Sequence, residues 1–236
     1  MKKCFVIAAA AAVLLSGCGA NSGESGSSKS YNSVIRLQPE DESKLRECGE
    51  IAEARLIAEY PGLECKLSYK DRDSFIYIEF DRPEKWDNRT LDNLCKKGEV
   101  TFRKGKDTEK NSDGEDVPTG EIIITNSDID TVTSTIVRNE EGKQDYAVVV
   151  TMFDAGKEKF AEATGELAGT DIPLSIWFDD ELISTPTVQY QITDGTAMIT
   201  GNLTAESSMA MAASIDSGAL PCELKIYESK IGEGSK

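Results

Sequence analysis

Six cysteines, no histidine and an excess of carboxylates make up the reactive inventory of this chain. Without histidine it lacks the usual general base near neutral pH and the commonest zinc ligand. A serine or cysteine nucleophile would need some other base beside it, and neither G-x-S-x-G nor S-x-x-K spacing occurs. Asp179 with Asp180, and Asp71 with Asp73, could act as acid and base, but both pairs sit in turn-forming stretches, where solvated polar turns are expected. Asn126, Asp128 and Asp130 alternate like the start of a calcium loop. Thr131 and Val137 stand where such a loop needs its glycine and its bidentate glutamate, so a polar turn is the expectation. No catalytic residue, metal or cofactor is therefore expected, and the chain reads as a non-enzyme.

Cys18 carries different chemistry. It follows Leu15-Ser16-Gly17, an aliphatic residue and two small ones, at the end of the unbroken apolar run Phe5–Leu15 behind Met1-Lys2-Lys3. That run is shorter than the about 20 apolar residues a membrane-spanning helix needs and falls within the roughly 7–15 of a secretory signal. The pattern is a lipobox. Residues 1–17 are expected to be a cleaved signal peptide, and the Cys18 thiol to take a diacylglyceryl group. Acyl chains gain roughly 0.8 kcal/mol per buried CH₂, so two or more hold a protein on a membrane without a helix. Residues 18–30 then form a Gly/Ser linker with a reach of about 20 Å. The expected location is the extracytoplasmic face of the cell membrane, held by lipid.

The formal charge is −16, and loss of Lys2 and Lys3 with the signal would lower it further. Such a surface repels nucleic acid and anionic headgroups and suits solubility or a cationic partner. Cys48, Cys65, Cys95 and Cys222 lie in the mature part and form no C-x-x-C pair. Outside the membrane they are candidates for disulfides, with three connectivities open.

Two lobes position these groups. Residues 31–104 read as strand (34–37), helix opened by Pro39-Glu40-Asp41-Glu42, hairpin (64–69 and 75–80 about a turn at 70–73), helix (86–97) and strand (99–103), a ferredoxin-like α+β pattern. Residues 105–120 are charged and read as an exposed loop. Residues 121–220 read as a second α+β lobe. Its strands are expected near 121–124, 132–137, 146–153, 173–178, 181–184, 188–192 and 197–200. One helix is capped by Asp154, with Phe160, Ala163 and Leu167 on one face. A second is capped by Thr204 and ended by Gly218. A last strand within 221–230 is expected to return to the first lobe, leaving 231–236 as a tail.

The second lobe resembles the periplasmic domain of SecD, the accessory subunit of the bacterial Sec translocase, and of its fused form SecDF. The resemblance rests on residues 153–164 (FDAGKEKFAEAT), 178–186 (FDDELISTP), 192–204 (ITDGTAMITGNLT), 217–221 (SGALP) and 224–228 (LKIYE), in family order. It covers about residues 120–234 and is weaker over 34–103. It implies a head and base architecture and a capacity to hold an emerging unfolded polypeptide outside the membrane. The family's membrane helices and their proton-carrying residues have no counterpart in this sequence, so proton-driven pulling does not transfer.

Trp177, Phe178 and Tyr190 are the aromatic candidates for contacting a client. Alternation puts Trp177 and Phe178 on opposite faces of their strand, so at least one belongs to the core. The expected partners are the membrane, through the lipid, and unfolded exported polypeptide or translocase components. The competing expectation is a cell-envelope scaffold that reuses the fold without binding clients.

Overall fold

The structure is a computed structural model that describes residues 29–70, 74–114, 116–138 and 142–233. The expected signal at residues 1–17, Cys18, most of the expected linker, and Asp71 and Asp73 lie outside the described residues. The described residues from Tyr31 onward form one compact unit.

Strand β1 (Ser33–Pro39) alternates inward and outward, with Ile35 and Leu37 fully buried. It runs through Pro39, so the first helix starts later than Pro39 suggested. Asp41 accepts a hydrogen bond from Ser43 N at 2.9 Å and opens a 3-10 turn that leads into α1 (Leu45–Glu59). Then come β2 (Cys65–Lys70), β3 (Phe75–Phe80) and the short α2 (Arg89–Cys95). After α2 the chain forms β4 (Val100–Lys104), then the exposed ribbon of β5 (Thr108–Lys110) and β6 (Asp116–Pro118) where a plain loop was expected. Next are β7 (Glu121–Thr125), β8 (Ile129–Arg138), β9 (Gln144–Met152) and α3 (Asp154–Leu167). The chain ends with β10 (Leu174–Phe178), β11 (Glu181–Ser184), β12 (Thr196–Thr200), α4 (Ala205–Asp216) and β13 (Leu224–Lys230).

The strands form antiparallel sheets ordered β13-β1-β3-β2, β11-β10-β4-β7 and β12-β9-β8. This corrects the placement of residues 99–103. They pair with β10 and β7 in the second sheet, and the fourth strand of the first sheet is β13. The side chains explain the exchange. Val100, Thr101 and Phe102 are buried on both faces, as in an interior strand, whereas after Leu224 every β13 residue is exposed, which suits an edge. Gly98, at φ +72°, turns the chain out of the first lobe.

Two hydrophobic cores result among the described residues. One gathers Ile35, Leu37, Cys48, Leu56, Ile78 and Phe80 with Leu94 of α2 and Leu220 and Leu224 from the far end of the chain. The other fills the space among the second and third sheets, α3 and α4, with Phe102 and Phe160 edge to face at 5.9 Å.

Local signals in the second lobe divide in outcome. Thr204 Oγ1 accepts from Ser207 N at 3.1 Å, and Ser207 Oγ accepts from Thr204 N at 2.8 Å, a reciprocal capping box. Gly218, at φ +91°, follows the end of α4. Asp154 is not a cap: Phe153 holds that position and Asp154 is the first helical residue. Thr164, rather than Ala163, is buried on α3 with Phe160 and Leu167. Residues 188–192 are not a strand. The segment lies along α3, with Ile192 N donating to Thr164 Oγ1 at 3.0 Å and Gln191 Nε2 to Ala161 O at 2.9 Å. Side-chain bonds to a helix thus replace a sheet ladder there.

Candidate functional site

The polar groups singled out from sequence are mostly architectural. Asp179 and Asp180 both have positive φ, 49° and 64°, and form the two-residue turn of the β10–β11 hairpin. Asp179 Oδ1 accepts from Glu99 N at 2.8 Å, and burial pushes its carboxyl above the usual range. Asn126 bridges chain segments, its Oδ1 accepting from Val100 N and its Nδ2 donating to Gly98 O, both at 2.9 Å. Buried Asp128 accepts from Thr125 N at 3.1 Å and from Lys159 Nζ at 2.6 Å. These bonds form a polar turn docked on α3. Gly156 of that helix touches Asp128 so closely that a β-carbon would stand 2.6 Å from its carbonyl oxygen.

The aromatic candidates separate. Trp177 and Phe178 do face opposite sides, yet both are buried, at 4% and 6% exposure. Trp177 Nε1 donates to Ser175 Oγ at 2.8 Å, so this side chain is core and not a client-facing surface. Phe178 packs in the second core and touches open space only at a cleft wall. Tyr190 is 83% exposed, on the irregular segment beside α3 and away from that cleft. Cys48, Cys65, Cys95 and Cys222 are free thiols, with Cys48 Sγ 3.7 Å from Cys222 Sγ. Burial pushes the thiols of Cys48 and Cys65 up to about 12 and that of Cys95 up to about 11.

The concave feature that stands out is a cleft of about 830 Å³ where the first lobe meets the second. One wall is the end of α1, the segment before α2, and α2; the other is the β10–β11 hairpin and α4. The periodicity of α4 explains its wall. Ser208, Met211, Ala212 and Ile215 turn inward toward β8 and β9, which leaves Met209 outward and 49% exposed. Leu182, just past the Asp179–Asp180 turn, is 42% exposed, and Ile183, Leu203 and Met211 complete an apolar floor.

The opposite rim is polar and ordered. Arg89 grips Asp87 through Nη2–Oδ2 at 2.6 Å and Nε–Oδ2 at 3.0 Å, and this pairing raises the arginine's pKa and holds the Asp87 carboxyl below its usual range. Tyr60 stacks on Trp86 at 5.4 Å, and its hydroxyl accepts from Asp87 N at 2.9 Å. Thr90 Oγ1 donates to Glu59 Oε1 at 2.7 Å. Burial raises the Glu59 carboxyl above its usual range, with Thr90 and Asn93 pulling the other way. On the facing wall Glu206 is held below that range by its own backbone N–H and by Thr204.

An adaptable methionine and leucine floor between hydrogen-bonding rims suits a short apolar stretch of extended chain, because thioether side chains repack around varied shapes. Sequence reading missed Leu182 and Met209. Their signal was present, since Met209 falls off the inward stripe of an otherwise packed helix, but it shows only once the stripe's direction is known.

Buried Arg55 of α1 sets how the two walls meet. Its guanidinium donates to Leu94 O at 3.2 Å, Lys97 O at 3.2 Å, Gly218 O at 3.0 Å and Ser217 Oγ at 3.2 Å, with a further short bond to Lys96 O. One side chain therefore ties α1 to the exit of α2 and the end of α4. Burial lowers its pKa to about 10, still well above neutrality.

No helix among the described residues is long and apolar enough to cross a membrane. The family model for the SecDF, P1 head subdomain matches residues 105–222. The protein translocase subunit SecD of Synechocystis is 34% identical over 90 residues, covering 36% of this chain and 19% of the relative. The chain thus spans about a fifth of that relative's length. A crystal structure of SecDF in a super-membrane-facing form superposes with a TM-score of 0.67 at 22% identity, covering 84% of this chain and 30% of that one. A second structure, of a membrane component SecDF that enhances protein export, gives a TM-score of 0.65 at 22% identity, with 83% and 98% coverage. The shared fold takes in both lobes, and the family match runs from the ribbon through β7, β8, β9, α3 and β10–β12 to α4, leaving out only β4 of the second sheet: this chain belongs to the SecDF P1 head subdomain family and is homologous to the SecD and SecDF protein-export factors.

Proposed function

We propose that this protein is a lipid-anchored, extracytoplasmic SecD-like lipoprotein that holds unfolded exported polypeptide in the cleft between its lobes and so assists protein export. The observation that carries the reading is the apolar floor of Leu182 and Met209, exposed within a cleft whose other wall is a fixed polar rim. The Leu15-Ser16-Gly17-Cys18 lipobox supports attachment through Cys18. The relatives' part in translocation supports the client class. Within this reading residues 31–97 form a ferredoxin-like base whose last strand is supplied by β13. The head runs from β4 to α4, with Arg55 as the joint.

The test is a fluorescence anisotropy titration of the purified protein against a reduced, unfolded polypeptide and against the same polypeptide folded, at several salt concentrations. Saturable binding of the unfolded form alone, surviving physiological salt, is the expected result. Binding that disappears as salt rises would reduce the interaction to attraction between an acidic surface and any basic chain. No binding to either form would leave a cell-envelope scaffold as the reading.

A further inference from the structure

Two thiols from opposite ends of the fold meet in the base lobe. Cys48 lies near the start of α1, fully buried in the first core, and Cys222 lies between α4 and β13, half-exposed. Their sulfurs are 3.7 Å apart. A disulfide needs about 2.05 Å, so small side-chain rotations close the gap. The backbone on the Cys222 side is pinned on both flanks. Leu220 N donates to Lys97 O at 2.7 Å, and Glu223 O accepts from Glu40 N at 2.9 Å. Leu220 and Leu224 sit in the same core as Cys48. Cys65, on β2, and Cys95, ending α2, have no sulfur partner among the described residues.

We propose that Cys48 and Cys222 are a disulfide-forming pair that staples the C-terminal strand to α1. The oxidant is a small-molecule or protein disulfide, and the step is thiol–disulfide exchange. Cys222, the accessible member, attacks as thiolate on one sulfur of the oxidant and expels one equivalent of thiol. Cys48 then gives up its proton and attacks the Cys222 sulfur of the mixed disulfide, expelling the second thiol. Two electrons pass from the cysteines to the oxidant's disulfide, and the two cysteine protons end on the released thiols. Burial, which pushes the Cys48 thiol up to about 12, makes the second step the slow one.

The link would join residues 174 positions apart and place the whole head lobe inside one closed loop. The edge strand β13, with almost all its side chains exposed, would then be held by a covalent bond as well as by its ladder to β1. This inference is independent of client binding.

The experiment uses the full chain, purified under reductant, transferred to oxidised glutathione, quenched in acid, alkylated and digested without reduction for mass spectrometry. The expected result is a Cys48–Cys222 cross-linked peptide, with Cys65 and Cys95 alkylated. The oxidised protein should melt roughly 4–16 °C higher than the reduced one. Cys222→Ser should lose both the cross-link and the rise, while Cys65→Ser and Cys95→Ser keep them. Glutathione that stays on Cys222 without transfer to Cys48, cross-links through Cys65 or Cys95, or four thiols that remain alkylatable would each overturn the assignment.

Discussion

Arg55 Nη2 donates a hydrogen bond to Gly218 O at 3.0 Å, joining the middle of α1 to the residue just past the end of α4. Most other donors of the same guanidinium meet backbone carbonyls that leave α2. The two lobes therefore meet around one buried cation held by helix-end carbonyls, where a positive charge suits the negative end of each helix dipole. Gly98 completes the arrangement, because a β-carbon there would collide with the guanidinium and its φ of +72° already favours glycine.

Replacing Arg55 by methionine keeps the aliphatic stem but leaves several buried carbonyls without donors. We expect a loss of roughly 2–4 kcal/mol in unfolding free energy by urea titration. Arg55→Lys should recover only part of it, since one ammonium cannot span both helix ends. Wild-type stability in Arg55→Met would remove the joint from this description.

Gly156→Ala should cost roughly 1–3 kcal/mol, because the added methyl meets the Asp128 backbone and no flexible group can yield. Gly169→Ala is the comparison. Nothing stands within 4 Å of its β-carbon, so its penalty comes only from a φ of +73°. Thermal melts of the two variants separate contact from backbone strain.

Thr204→Ala removes the side-chain acceptor for Ser207 N and should cost about 1 kcal/mol. Thr204→Ser should be close to neutral, as the hydroxyl can reform the box. A melt showing equal losses for both variants would mean that the cap contributes nothing.

Glu59 sets a pH dependence. Its folded carboxyl is raised by burial, so the native state holds the proton more tightly than the unfolded chain does. The contribution to stability is complete below the ordinary carboxylate pKa and is lost as pH rises from there through the raised value. Glu59→Gln keeps an acceptor for Thr90 Oγ1 and should abolish this component. Urea midpoints measured in steps from pH 4 to pH 7 should fall less steeply for the variant. Parallel curves would place the burial cost elsewhere.

Much of the fold was legible because its signals are local. The 192–204 stretch encodes a turn at Asp194-Gly195, the β12 alternation and the Thr204 cap within a few residues of one another, and the comparison with known proteins bears out the family it suggested. The fate of residues 99–103 was not legible. Their β pattern fits either sheet, and the choice depends on Arg55, more than 40 positions upstream, taking the carbonyls that turn the chain away. The strand expected at residues 188–192 is absent for a related reason: the pattern is strand-like, but Thr164 and Ala161 on α3 take the polar groups of Ile192 and Gln191 before any strand can. The cleft was invisible for a third reason. Leu182 and Met209 lie 27 positions apart, and only the packed helix shows that both face the same space.

The measurement closest to the central claim is the affinity of the Leu182→Glu, Met209→Glu double variant for a reduced, unfolded polypeptide at physiological salt. Both side chains are about half exposed, so the substitutions should leave the fold intact, as circular dichroism would check. Two carboxylates on the apolar floor should weaken binding at least about tenfold relative to wild type, equivalent to about 1.4 kcal/mol. Tyr190→Ala, far from the cleft, should bind as wild type does. A folded double variant with undiminished affinity would contradict the claim that the cleft between the lobes is where the polypeptide is held.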